Sequence, residues 1–181
     1  MATRRALLIA AAAAAASGRA AAQPRAPDEV LAELPGAHLQ GSGRMRHFGL
    51  LICDARLWTR PGFDAAGYQR QPLALELQYA RSLDGRRIAE KSLDEMRQVG
   101  DVPSGKADGW LAEMAAAFPD VAKDDRITGV LRPRESARFF VNGTLRREVR
   151  DPDFADLFFG IWLSPRTSAP SLRRDLIGAA R

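Results

Sequence analysis

Hydrophobic and polar positions along the chain fall into two periods. The residues HFGLLICDARLW, from His47 to Trp58, alternate. Phe48, Leu50, Ile52, Asp54, Arg56 and Trp58 share one face, and His47, Gly49, Leu51, Cys53, Ala55 and Leu57 the other. Both faces are largely apolar, which predicts a long interior strand covered on both sides. Leu73–Tyr79 (LALELQY) alternates cleanly and predicts a second strand with one wetter face. The period then lengthens. Ile88, Leu93, Met96 and Val99 gather on one side of a helix over 86–99. Ala107, Trp110, Leu111, Met114 and Phe118 stand at offsets 0, 3, 4, 7 and 11 of a second helix over 106–118, which Pro119 ends. Strands resume at 126–132 and 137–141, and Asn142-Gly143 forms a type I′ hairpin turn into TLRREV. Asn142-Gly143-Thr144 also matches a glycosylation acceptor, but the turn accounts for the Asn and the Gly.

The most apolar stretch of the remaining chain is FFGIWLSPRTSAP, residues 158–170. Asp151 is an N-cap, with Pro152 at the first helical position. Phe154, Leu157, Phe158, Ile161 and Trp162 follow at offsets 0, 3, 4, 7 and 8, one face of a single helix that Pro165 stops. Its dozen residues fall well short of the ~20 that a membrane span requires. A further helix runs through Pro170 and Leu172, capped by Thr167 or Ser168. Helices grouped apart from antiparallel strands mean an α+β fold rather than a parallel α/β one.

Composition changes the picture mainly at the N-terminus. Residues 1–22 carry Arg4 and Arg5, an apolar run from Ala6 to Ala16, and Ala20-Ala21-Ala22 before Gln23, the pattern of a cleaved export signal. The Thr3-Arg4-Arg5 order fits a twin-arginine signal and an ordinary Sec signal alike. Either one predicts a periplasmic or secreted protein with no stable membrane span. Residues 23–37, rich in Pro, Ala and Gly, are expected to form a flexible arm, with the domain proper spanning 38–181. Removing the signal lowers the formal charge from +5 to +2, too small a basic balance for nucleic acid as the main partner. Cys53 is the single cysteine and can form no internal disulfide. His38 and His47 lack further ligands at metal spacing, and Gly41-Ser42-Gly43 lacks the Lys-Ser/Thr of a phosphate loop. No cofactor is expected.

The segments LQGSGRMRHFGLLICDARLW, PLALELQYAR, IAEKSLDEMRQVG, FPDVAKDDRITGVLRP, RFFVNG and DFADLFFGIWLSPRTSAPSLRRDLIG come in the order of, and together resemble, the bacterial chalcone isomerase-like proteins. The resemblance covers nearly all of 38–178. It implies an open-faced β-sandwich of chalcone isomerase type: a long antiparallel sheet, a helical layer on one face, and a cleft between them. It also implies two kinds of activity. Catalytic members close a chalcone to a flavanone, holding a phenolate with a cation and the developing enolate with hydroxyl or water donors. Non-catalytic relatives bind fatty acids, an arginine meeting the carboxylate and an apolar cleft the chain.

Carried onto this sequence, the arginine of the family's first strand corresponds to Arg44 or Arg46. Cys53 stands where a hydroxyl-bearing residue is usual, and a thiol is a weak donor. The C-terminal hydroxyl of catalytic members falls at Thr167 or Ser168, and Tyr79 ends a strand that can direct its phenol into the cleft. Asp54 and Arg56 are expected to pair with each other or with neighbours, Glu95-Met96-Arg97 supplying one. The expectation is a domain that binds a small apolar or carboxylated ligand, fatty-acid- or flavonoid-like. Arg44, Arg46 or Arg56 would meet its anionic end, beside Cys53 and Tyr79. A chalcone-type intramolecular lyase using Arg44, Thr167 or Ser168 is the second reading. A periplasmic scaffold or partner-binding subunit is the third.

Overall fold

Six strands lie side by side in space in the order in which they occur along the chain. The computed structural model describes residues 24–178, so the expected export signal lies outside the described residues. The strands β1 (His38–His47), β2 (Leu50–Thr59), β3 (Leu73–Tyr79), β4 (Arg126–Arg132), β5 (Ser136–Val141) and β6 (Thr144–Val149) form one sheet. Every neighbouring pair is antiparallel. One short helix, α1 (Asp28–Glu33), precedes the sheet. Helices α2 (Gly85–Val99) and α3 (Ala107–Ala117) fill the connection between β3 and β4, while α4 (Pro152–Leu163) and α5 (Pro170–Ile177) follow β6.

The strand expected over 47–58 is two strands. His47 pairs with Leu50, and the two residues between them, Phe48 and Gly49, have φ of 47° and 78°. That is the backbone of a type I′ turn, and a phenylalanine at its first central position concealed it. The predicted alternation holds from Cys53 onward, whereas Ile52, expected on the face of Asp54 and Trp58, packs with Cys53 on the main core, because the pairing with β1 skips it between Met45 and Arg46. Cys53, Ala55 and Leu57 belong to the core under the helices, whereas Trp58 belongs to a smaller core on the opposite face with Val30, Ala74, Val130 and Phe140. The interior strand is therefore β2, and β1 is an edge.

The main core fills the space between the sheet and α2–α5. Asp151 caps α4 as expected, its carboxylate accepting from the Asp153 and Phe154 amides, and it also accepts from Lys106 Nζ and Trp110 Nε1, tying α3 to α4. From α4, Phe154, Phe158 and Phe159 enter the core. Phe158 and Phe154 meet Phe139 of β5 edge-on, with centroids 4.9 Å and 6.1 Å away. Among the described residues no helix is long and apolar enough to cross a membrane. At the sheet edge, α5 lies against β1 so closely that a Cβ on Gly41 would stand 2.2 Å from the Asp175 carbonyl oxygen. The GSG stretch thus admits a helix backbone, which is the local reason for glycine there.

Residues 24–37 are not a loose arm. Val30 and Leu34 of this segment are fully buried, Val30 in the core on the far face of the sheet. Around them α1 is fastened by carboxylates. Glu29 accepts from Arg126 Nη2 at 2.8 Å and from Thr128 at 3.1 Å, and Glu33 binds Arg132 and Arg138. The Pro- and Ala-rich composition hid a helix of six residues whose docking depends on partners nearly a hundred positions away.

Candidate functional site

Between the sheet and the helices is a cleft of about 710 Å³. Its floor comes from inward positions of the central strands, including Leu75 and Leu77 of β3, Ile127 of β4 and Phe139 of β5. Phe158, Ile161 and Trp162 of α4 form the roof, and α2 forms the flank. Depth is apolar because those strand positions and the α4 stripe face each other. Polar groups collect on α2 and the β1–β2 hairpin: Arg46, His47, Arg87, Lys91 and Glu95 border the cleft.

Cys53 and Tyr79 are Cα partners across β2 and β3, and both line the cleft. Burial, with a smaller contribution from the Asp54 charge, pushes the Cys53 thiol up to about 12. Burial pushes the Tyr79 phenol well above its ordinary range as well, aided by the neighbouring thiol. Both groups are therefore neutral at ordinary pH. Cys53 is no thiolate nucleophile, whereas Tyr79 is a permanent O–H donor. Its hydroxyl makes no hydrogen bond among the described residues. Nearby, the indole N–H of Trp162 is buried without an acceptor.

Glu95 is the buried carboxylate of the site. Lys91 Nζ lies 2.7 Å from Oε1, and the Ser168 hydroxyl donates to Oε2 at 2.6 Å. Burial alone would raise its pKa. The hydrogen bonds from Lys91 and Ser168, with the charges of Lys91 and His47, outweigh that and hold it below the usual glutamate value.

Of the residues expected to form the site, the fold brings Arg46, Cys53, Tyr79 and Ser168 to the cleft. It does not bring the others. Arg44 points away to an exposed pair with Asp54, 3.3 Å apart. Arg56 lies on the opposite face, where it bonds Glu76 Oε1 at 2.9 Å and Gln78, and Glu76 also accepts from Trp58 Nε1. Alternation along β2 forces this, since Arg56 must oppose Cys53, Ala55 and Leu57. Thr167 does not cap α5 in the expected way. Its hydroxyl donates to the Ile161 carbonyl and accepts from the Ala169 amide, bracing the turn between α4 and α5. Ser168 gives its proton to Glu95. Glu95 itself, expected to support the strand ion pairs, instead faces the cleft, and Arg97 pairs with Asp94.

Lys91, Arg87 and His47 were not singled out for this role. The first two fall i, i+4 on α2 and could have been found by projecting the helix onto the face that carries Glu95.

Residues 64–178 match the sequence profile of chalcone isomerase-like proteins. An uncharacterized protein of Haemophilus influenzae is 29% identical over 111 residues, a match covering 61% of this chain and 54% of that protein's own length. Among solved structures, the fatty-acid binding protein of Arabidopsis thaliana superposes with a TM-score of 0.62 at 11% identity, over 79% of this chain and 87% of that one. With the antiparallel meander, the helical layer on one face and the cleft between them, the profile match makes this chain a member of the chalcone isomerase-like family.

Proposed function

We propose that this protein is a binding protein for a small carboxylated ligand with a long apolar body, of fatty-acid type, acting outside the cytoplasm. One observation carries the reading. The cleft is apolar in its depth, bordered by Arg46, His47, Arg87 and Lys91, and retains a neutral, uncommitted Tyr79 hydroxyl. Its volume, about 710 Å³, falls within the ~300–1,000 Å³ typical of small-molecule sites. An aliphatic chain gains from burial in proportion to its length, while an anionic end gains from cations near the surface. Of the two carboxylates that line the cleft, Glu95 is paired with Lys91 and hydrogen-bonded by Ser168, and Asp84 accepts from the Arg87 amide as the cap of α2. The fatty-acid binding neighbour supports the same chemistry, and the composition of residues 1–22 supports export.

Turnover of a chalcone through the residues expected to catalyse it would draw on groups that are already committed, Arg44 among them. Thr167 serves the Ile161 carbonyl, Ser168 serves Glu95, and Cys53 is a buried neutral thiol. Displacement of a fluorescent fatty acid by unlabelled saturated acids tests the binding reading, with the matching fatty alcohols as controls. Saturable binding of acids, about tenfold or more tighter than that of alcohols, is expected for one charge-assisted contact. Equal affinity for acids and alcohols would refute the carboxylate assignment, and absence of binding would refute the ligand class. Intact-mass measurement of the exported protein tests removal of residues 1–22.

A further inference from the structure

The tip of the β1–β2 hairpin is built against the ordinary preferences of both sequence and surface. Phe48 is 92% exposed and Leu50 56%, more than any other large apolar side chain of the described residues. Phe48 also occupies a left-handed backbone position, φ 47°, where a bulky residue is strongly disfavoured. The same chain supplies the comparison. At the β5–β6 hairpin the equivalent turn is Asn142-Gly143, with φ of 48° and 86°, the residue pair such a turn favours. The β1–β2 turn has closely similar φ values but carries phenylalanine. Among the described residues the ring meets one aromatic neighbour, His47, centroids 4.3 Å apart. Strain held at an exposed position without packing to offset it points to a use outside the folded chain.

Charge identifies what the tip meets. Arg44, Arg46 and His47 lead into the turn, and Arg46 Nη1 closes it by donating to the Gly49 carbonyl at 3.1 Å. Exposed Arg81 follows Ala80, whose amide bonds the Ile52 carbonyl beside the hairpin. The nearest acid on β2, Asp54, is held by Arg44. An apolar point flanked by arginines matches the layering of an anionic bilayer, with acyl chains beneath a plane of phosphates. Arg46 and His47 also border the cleft, so the tip stands beside the cleft's mouth.

We propose that the β1–β2 tip docks on an anionic lipid bilayer, Phe48 and Leu50 entering the interface while Arg44, Arg46 and His47 meet lipid phosphates. The mouth of the cleft then faces the membrane. Docking goes beyond the binding function and does not depend on which ligand the cleft takes. Each apolar anchor is worth about tenfold or more in partitioning, and each cation about fivefold. The association is therefore reversible and sensitive to salt.

The test is co-sedimentation of the purified protein with vesicles of phosphatidylcholine alone or mixed with phosphatidylglycerol. Binding is expected to the mixed vesicles only, to weaken with salt, and to fall about tenfold or more in Phe48→Asn. Asparagine is the residue the sister turn uses, so this variant folds, and its fatty-acid binding in solution stays unchanged. As a second measurement, Phe48→Trp fluorescence is expected to shift to the blue on the mixed vesicles and to be quenched by lipids brominated along the chain. Absence of vesicle binding, or equal binding by Phe48→Asn, would overturn the proposal. So would a dimer in solution that Phe48→Asn dissolves, since the tip would then serve protein contact. Failure of fatty-acid binding with vesicle binding intact would sink the ligand reading alone.

Discussion

Tyr79→Phe removes one oxygen and separates a ligand-binding hydroxyl from a structural one. In the free protein Tyr79 is 4% exposed, and its hydroxyl lacks a partner among the described residues. A buried hydroxyl without a partner costs about 1–3 kcal/mol. Residual contact with water in the cleft reduces that cost, so the free variant is expected to be stabilised by up to about 1 kcal/mol. For a domain of this size that corresponds to a melting temperature raised by ~2–4 °C. Binding should move the other way. A hydrogen bond to a carboxylate is worth about 1.5–3 kcal/mol, so the variant loses ~10- to 150-fold in affinity for a fatty acid. Burial keeps the phenol protonated, and its titration cannot make binding depend on pH near neutrality. The assays are thermal melts of ligand-free protein and calorimetric titration with an acid and its alcohol. Lower stability with an unchanged acid dissociation constant would refute the reasoning, because the hydroxyl would then be serving the fold.

Other substitutions and conditions probe the frame around the cleft. Gly41→Ala drives a Cβ into the backbone of α5, 2.2 Å from the Asp175 carbonyl, and should cost about 2–4 kcal/mol by denaturant titration. A loss below about 0.5 kcal/mol would show that α5 can slide. Cys53, 1% exposed and with its thiol raised to about 12, should react with a disulfide reagent at neutral pH only as fast as the protein opens. Reaction of folded protein at the rate of a free thiol would contradict the packing of β2. Glu95 has its pKa lowered in the folded state, so its contribution to stability is present above the unfolded value and is lost as pH falls through the folded one. Glu95→Gln should flatten that acid limb in thermal melts, and an unchanged limb would remove Glu95 as its source.

Much of the fold was legible because its signals are local. The stripe of α4, the Asp151 cap, the Pro119 and Pro165 stops and the Asn142-Gly143 turn each need only a few neighbouring residues, and each stands where the pattern puts it. The first hairpin and α1 were missed for opposite reasons. At Phe48 the residue contradicts its own backbone, so an alternating pattern ran unbroken through a turn. In α1, six residues too few to form a stable helix alone are held by Val30 against the sheet and by Glu29 against Arg126 and Thr128. No local window contains that information.

The arginines show where strand period alone stops deciding a site. Arg44, Arg46 and Arg56 all lie on the first hairpin, and period 2 gives Arg44 and Arg46 the same face of β1. The pairing with β2 skips Ile52 between Met45 and Arg46, so the two arginines stand on either side of an irregularity. Beyond it, Arg46 turns to the cleft and closes the hairpin, while Arg44 stays with Asp54 outside. Of the two, only Arg46 borders the cleft. On β2, which pairs with β3 without a shift between Cys53 and Thr59, the alternation does decide. Cys53 inside places Arg56 outside, and a cation there serves Glu76 instead. The extra residue, Ile52, stands on β2 four positions after Phe48, so the irregularity lies between the apolar tip and the regular part of the sheet.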